Sequence, residues 1–253
     1  MAIVHKGASP LQDKKKEAMN SMAAAMIIGG VLCIGFLMAG TPDAAIIVFV
    51  AFFFMTNLIY HGAAPTLHGS WGEEKALSEL QEKLSDDYHI FVDVRVHEKM
   101  ESDLVITGPN GVFIVEIKNY KGKIEGRADD REWTLHKTGR RGGQYTKTLA
   151  NPLRQLRRNL YVLSQYLKIQ KTPAWLEGRV YFVHKNEWVG GCIPDRCVAN
   201  LDVLAHSIRV HIPRRYPTAA QLEGINASLE KCIAKAPAMT KEDFEAKAAA
   251  FSH

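Results

Sequence analysis

The chain has 253 residues, 47% hydrophobic and 23% charged, enough for one globular domain of ordinary size with a further segment left over. Its formal net charge of +5 is modest, so the placing of charge matters more than its sum. The four cysteines make no metal framework, because Cys33 lies in an apolar run and Cys192 and Cys197 lack a second pair of ligands; they read as reduced thiols.

Residues 1–21 form an N-terminal segment carrying Lys6, Lys14, Lys15 and Lys16. No charged residue follows between Met22 and Ala39, nor between Ala44 and Tyr60, and the two apolar runs meet at Thr41-Pro42-Asp43. Each is close to the roughly 20 residues a helix needs to cross a bilayer. A signal peptide would also open with lysines, but this apolar stretch exceeds an ordinary signal core, Gly29, Gly30 and Gly35 suit membrane helices, and a second run follows. The expectation is a transmembrane helical hairpin over 22–60. Lysines before it and none in its turn put the N-terminus in the cytoplasm, and two crossings return residues 61–253 there, as in a multi-pass protein of the cell's inner membrane.

"HGAAPTLHGS" reads as a short linker ending at a helix start. Glu73, Ala76, Leu77, Leu80 and Leu84 then recur as one helical stripe. Ser70 and Glu73 also fit a capping box, the structural alternative to a site role for Glu73. "HIFVDVRV", "SDLVITG" and "GVFIVEIKNY" read as strands, with a turn at "GPNG"; "GKIEG" and "EWTLHK" read as short strands of the same sheet. A helix opens at Asn151-Pro152 with Leu153, Leu156, Leu160, Leu163 and Leu167 on one face. "GRVYFVHK" is a further strand, "CVANLDVLAHSI" reads as another, and "PTAAQLEGINASLEKCIAKA" as a closing amphipathic helix. The order implies an α/β fold, a mixed sheet flanked by helices and preceded by two transmembrane helices.

Within "GVFIVEIKNY" the charged Glu116 and Lys118 share a strand face with Val112 and Ile114. A hairpin centred between Pro109 and Asn110 pairs Thr107 with Val112, Val105 with Ile114, and Asp103 with Glu116. Two carboxylates opposed in a sheet need a counter-charge. Lys118 could supply it alone in a structural ion cluster, the whole face could be solvated, or a divalent cation could sit there. Arg140, Arg141, Lys147, Arg154, Arg157 and Arg158 fall close together, suiting an anionic partner or a solvated helix face. Trp133 and Tyr120 read as core or sheet-edge aromatics, and His89, His97, His184 and His206 show no ligand spacing.

"GSWGEE", "SDLVITGPNGVFIVEIKNYKGKIEG", "EWT" and "NPLRQLRRNL", in this order over about residues 69–185, resemble the nuclease-related domain (NERD), a branch of the PD-(D/E)XK restriction-endonuclease-like superfamily. The resemblance implies a restriction-endonuclease-like core with a metal site at its centre. It implies Asp103 and Glu116 as ligands of Mg²⁺ or Mn²⁺, Lys118 as the catalytic lysine, and Glu73 and Gln155 as further site residues. Leu104 stands where the family often has His, and Ser102 where an aliphatic residue is frequent. The implied activity is metal-dependent hydrolysis of nucleic acid, DNA foremost, with Arg154 and Arg158 on the phosphates. The alternatives are a membrane-tethered binding or scaffold module that keeps the fold and cleaves nothing, and a membrane assembly component whose soluble domain docks a partner.

Overall fold

The computed structural model describes residues 1–7, 10–139, 141–189, 194–233 and 237–250, with side chains left out at 10–15, 18 and 59–71; Arg140 and Cys192 therefore lie outside the described residues. The chain divides into two compact units, Ser9–Trp71 and the combination of Met1–Ala8 with Gly72–His253.

In chain order the elements are β1 (Ile3–Lys6), α1 (Pro10–Met38), α2 (Pro42–Lys83), β2 (His89–His97), β3 (Met100–Gly108), β4 (Gly111–Lys118), β5 (Lys123–Glu125), β6 (Glu132–Thr138) and β7 (Gln144–Ala150). They continue with α3 (Pro152–Ile169), β8 (Leu176–Phe182), β9 (Glu187–Trp188), β10 (Cys197–Val198), α4 (Leu201–Arg209), α5 (Ala219–Glu230) and α6 (Lys241–Ala250).

The Ser9–Trp71 unit is a pair of helices. Gly40, at φ 73°, ends α1 in the left-handed conformation, and Thr41 N–H reaches back to Phe36 O at 3.0 Å, the bonding of a glycine-terminated helix. Pro42 then starts α2, where its missing N–H costs nothing. Ala25 and Ala45 are buried in this unit, while most of its large apolar side chains, from Ile27 to Leu58, are exposed. Among the described residues, α1 holds one apolar stretch long enough to cross a membrane, Met19–Met38; the apolar part of α2, Pro42–Leu58, is shorter.

The expected linker at 61–70 is instead helical, as α2 runs unbroken to Lys83. Gly62 and Pro65 are weak helix formers, but propensity yields where a helix is anchored, and here Ala76, Leu80 and Leu84 are fully buried farther along. With the helix already running at Ser70, no N-cap can form there, and the capping box falls away.

The larger unit is built on a six-stranded mixed sheet in the order β1-β2-β3-β4-β8-β10. β2, β3 and β4 form an antiparallel meander, and β1, β8 and β10 join in parallel. The expected hairpin register is present, with Thr107 opposite Val112 and Val105 opposite Ile114. One face packs Val112, Ile114, Val180 and Phe182 against Leu153, Leu156, Leu163 and Leu167 of α3. The other packs Phe113, Val115 and Ile117 against Ala76 and Leu80 of α2, Leu84 directly after it, and Leu201, Leu204 and Ile208 of α4. Each fully buried leucine or isoleucine contributes about 1.5–3 kcal/mol over leaving it in water, so both helical layers are strongly fixed on the strands.

Three further expectations are corrected. "GKIEG" and "EWTLHK" do not extend the main sheet: β5 and β6 belong to a second, four-stranded sheet in the order β7-β6-β5-β9. The strand pair β4–β8 breaks after Lys118 and Phe182 and resumes as the parallel pair β5–β9, the bend being pinned by Asn186 Nδ2 donating to Tyr120 O and Gly122 O. "CVANLDVLAHSI" gives only the two-residue β10 and then α4, because Leu201, Leu204, Ala205 and Ile208 recur at helical spacing behind the N-cap Asn200. The α5 helix is not the closing one either, since α6 follows and buries Phe244.

Candidate active site

The site lies where β3 and β4 leave their paired register. Pairing runs from Gly108–Gly111 to Leu104–Val115 and stops one step short of Asp103 and Glu116. On its other side β3 pairs with β2 at Val92–Leu104 and Val94–Ser102, and the intervening Asp93 is in the left-handed conformation at φ 56°. Asp103 is thus released from the ladder on both edges, and its Oδ2 accepts the backbone N–H of Ile117.

Glu116 has no exposed surface. Its Oε1 accepts from Asn159 Nδ2 at 2.7 Å, its Oε2 accepts from Gln155 Nε2 at 2.6 Å, and Lys118 Nζ stands 3.6 Å from the same Oε2. The α3 helix is aimed by its own cap. The Asn151 side chain accepts from Leu153 N–H at 2.9 Å and donates to Ala128 O at 3.1 Å and Asp130 O at 2.7 Å, so the first turn is tied to the preceding loop. Gln155 and Asn159, four residues apart, then fall on one helix face over Glu116.

Glu73 arrives from the opposite face of the sheet, on the α2 stripe that buries Ala76 and Leu80, and is itself half-buried. Gly72 beside it is closely approached by two side chains: a Cβ there would stand 2.9 Å from Val183 Cγ2 and 3.4 Å from Asn119 Nδ2.

The electrostatics follow from burial. The Glu73 carboxyl is pushed up to about 8 by desolvation and then by the Asp103 and Asp93 charges. Glu116 is pushed up to about 7 by desolvation, then by Asp103, against the pull of Lys118 and Asn159. Burial also raises Asp103, against Lys118 and the Ile117 N–H. Burial alone would lower Lys118, but Asp103, Glu116 and Tyr120 outweigh it and hold the ammonium charged. Three carboxyls thus crowd one lysine, and all three are held above their ordinary range.

Gln155 and Lys118 thus engage Glu116 directly, while Asp103 and Glu73 stand within electrostatic reach of Lys118. Arg154 and Arg158 are exposed on α3, one position before Gln155 and Asn159 respectively, while Arg157 is turned to the loop, 3.5 Å from Asp129. Trp133 is core, packed edge-on to Trp188. Two site residues escaped the sequence reading. Asn159 was legible as the second polar residue, four after Gln155, on an otherwise apolar stripe; Asp93 carries no signal, since its role depends on a local backbone conformation. Among the described residues, no three His, Cys, Asp or Glu side chains converge into a ready-made cation set.

Residues 68–183 match the family model of the nuclease-related domain. The chain carries a nuclease-related domain. The match spans α2 from its last third through β8, and so contains every side chain of the site, Glu73 and Asn159 included. No curated protein and no solved structure gives a match.

Proposed function

We propose that this NERD protein is a membrane-anchored, divalent-metal-dependent nuclease that hydrolyses phosphodiester bonds of nucleic acid, DNA foremost. The observation that carries the reading is the holding of Glu116, a carboxyl with no exposed surface, gripped by two side-chain amides and faced by Lys118. Such a group costs stability, and an apolar residue would serve the sheet better, so its retention fits a working site.

The residues suit a cation. Mg²⁺ is ordinarily held by one or two carboxylates, with water and substrate phosphate completing its shell, and Asp103 with Glu116 is such a pair. The excess of carboxyls over lysine favours added positive charge, and Asn159 Oδ1, buried with no hydrogen-bond partner among the described residues, leaves an acceptor for a coordinated water beside Glu116. Bound there, Mg²⁺ or Mn²⁺ would supply polarisation of the scissile phosphate and a lowered pKa for water. Lys118 would orient the attacking water and offset the charge that grows on the phosphoryl oxygens. Gln155 and Asn159 fix the plane of the Glu116 carboxyl, and Glu73 adds a carboxyl at the rim that can position water. Arg154 and Arg158 would neutralise backbone phosphates, giving salt-dependent binding with little sequence preference.

For a hairpin inserted in the membrane, connectivity fixes the parity of the crossings. β1 lies before the apolar helices and pairs with β2, which lies after them, so both ends of the inserted segment belong to one folded sheet. A segment that leaves and re-enters the same domain crosses a bilayer an even number of times, and the lysines before it favour the cytoplasmic side.

The test is cleavage of plasmid, linear and single-stranded substrates by the full chain in detergent, with Mg²⁺, Mn²⁺ or EDTA. Cutting that needs the metal and disappears in Glu116→Gln supports the reading; a wild type inert on every substrate and metal ends it.

A further inference from the structure

Beyond the carboxylate site the molecule has a second polar feature, a groove of about 940 Å³ over the four-stranded sheet. Lys121, Lys123, Lys137 and Lys185 line it with His136 and Tyr145. Glu125 and Glu187 also line it, but Glu125 is engaged by His136 at 2.9 Å, and four lysines outnumber two glutamates. Tyr145 is 53% exposed, a large amount for an aromatic on a strand.

Its place in the fold connects it to the site. The strand carrying Glu116 and Lys118 continues through the Asn186-pinned bend directly into β5, so Lys121 follows Lys118 by three residues, at most about 11 Å of chain. Lys121, at one wall of the groove, is thus close along the chain to the carboxylate–lysine cluster, and the groove extends from there along β5, β6 and β7.

Resting on the nuclease reading, we infer that this groove holds a single-stranded stretch of the nucleic acid, running out from the cleavage site with its phosphates on Lys121, Lys123, Lys137 and Lys185 and a base stacked on Tyr145. A volume of this order accommodates a ligand of drug size, hence a few nucleotides of one strand. Lysines along a path with an exposed aromatic are how single strands are bound without sequence readout, and a base can stack on tyrosine only when it is not enclosed in a duplex. The neighbouring α3 arginines remain free for the phosphates on the other side of the scissile bond.

The experiment is fluorescence-anisotropy titration of the full chain in detergent with a labelled oligothymidylate and with a blunt duplex of equal length, across a salt series and with Ca²⁺ in place of Mg²⁺. The proteins are wild type, Lys121→Gln/Lys137→Gln, Tyr145→Ala and Tyr145→Phe, with melting temperatures as the folding control. Single-strand affinity is expected to fall at least tenfold in the double lysine variant, and its salt slope to decrease by about 0.7 per lysine removed. Tyr145→Ala is expected to lose at least fivefold and Tyr145→Phe to retain wild-type binding. Single-strand binding unchanged in both lysine and alanine variants, or a loss seen on duplex alone, overturns the groove assignment. Cleavage by wild type that Glu116→Gln abolishes would then stand independently, whereas groove-dependent binding without any cleavage would retain the groove and end the nuclease reading.

Discussion

Asn159 donates to Glu116 Oε1 at 2.7 Å, a fully buried amide on a fully buried carboxyl, and the same Nδ2 donates to Glu101 O at 2.7 Å. One side chain thus ties the α3 helix both to the functional group of β4 and to the backbone of β3. Asn159→Ala leaves the buried Glu116 Oε1 and the part-buried Glu101 O each short of a donor, for which about 1–3 kcal/mol of lost stability is expected. Losing a partner that orients a proposed metal ligand is expected to lower cleavage by about 10–100-fold. Melting and initial-rate measurements on the same preparation check both; a variant fully active at unchanged stability would deny Asn159 any part in holding Glu116.

The raised carboxyls fix the sign of a pH effect on the metal-free protein. Glu73 and Glu116 go from an ordinary 4.5 to about 8 and about 7 on folding, so the folded state keeps protons that the unfolded chain releases. Stability is then fully present below about pH 4.5 as far as these groups are concerned, and is lost as pH rises through 7 and 8. Glu73→Gln is expected to melt higher than wild type at pH 9, with the difference closing towards pH 5. Thermal denaturation in EDTA across that range reads the result. Because cation binding requires deprotonated carboxylates, Mg²⁺ affinity is expected to rise over the same interval.

The readable part of this fold is the part in which one local rule governs. Alternation and the "GPNG" turn fix the β3–β4 register, so Glu116 and Lys118 could be placed together from their numbers; Asn151-Pro152 with its leucine stripe fixes α3, but only the family resemblance brought its Gln155 to the site. Less was legible where long-range contacts decide. β1 is four residues, too short for a periodic signal, and becomes a strand only because β2 offers it an edge. β7 alternates little, and its exposed residues carry no burial pattern. The α4 spacing was present in the sequence, and the strand reading overlooked it.

β1 is held by a stacked histidine pair as well as by its ladder. His5 Nε2 lies 2.8 Å from His89 Nδ1, His5 stacks on Phe91 with centroids 4.4 Å apart, and Glu230 Oε1 is 3.5 Å from His5 Nδ1. Burial and the neighbouring His5 lower His89 from its ordinary 6.5, with Glu230 opposing. A histidine depressed on folding contributes stability above its unfolded value, lost as pH falls through the folded one. Limited proteolysis of the N-terminus is expected to accelerate between pH 7.5 and pH 5, and His89→Phe to remove much of that dependence. Deleting Ile3–Lys6 is expected to uncover the β2 edge and promote aggregation at every pH, as seen by light scattering.

Gly72 separates the geometric demand of the site from the stability of the helix that bears it. In a helix, Gly→Ala ordinarily gains about 1 kcal/mol, and here that gain is opposed by a Cβ that would meet Val183 Cγ2 at 2.9 Å and Asn119 Nδ2 at 3.4 Å. Asn119 directly follows Lys118, so relief of this crowding moves either the α2 turn carrying Glu73 or the end of β4 carrying Lys118. Gly72→Ala is therefore expected to change the melting temperature little while lowering kcat/KM tenfold or more, since displacement of a reacting group by a fraction of its reach costs rate steeply. Substitution of Gly224, where the added Cβ would meet only Thr172 Cγ2 at 2.9 Å, far along the chain from the carboxyls, supplies the comparison. Equal activity of the two variants would mean that the approach of Glu73 to Asp103 and Lys118 is not used in the reaction.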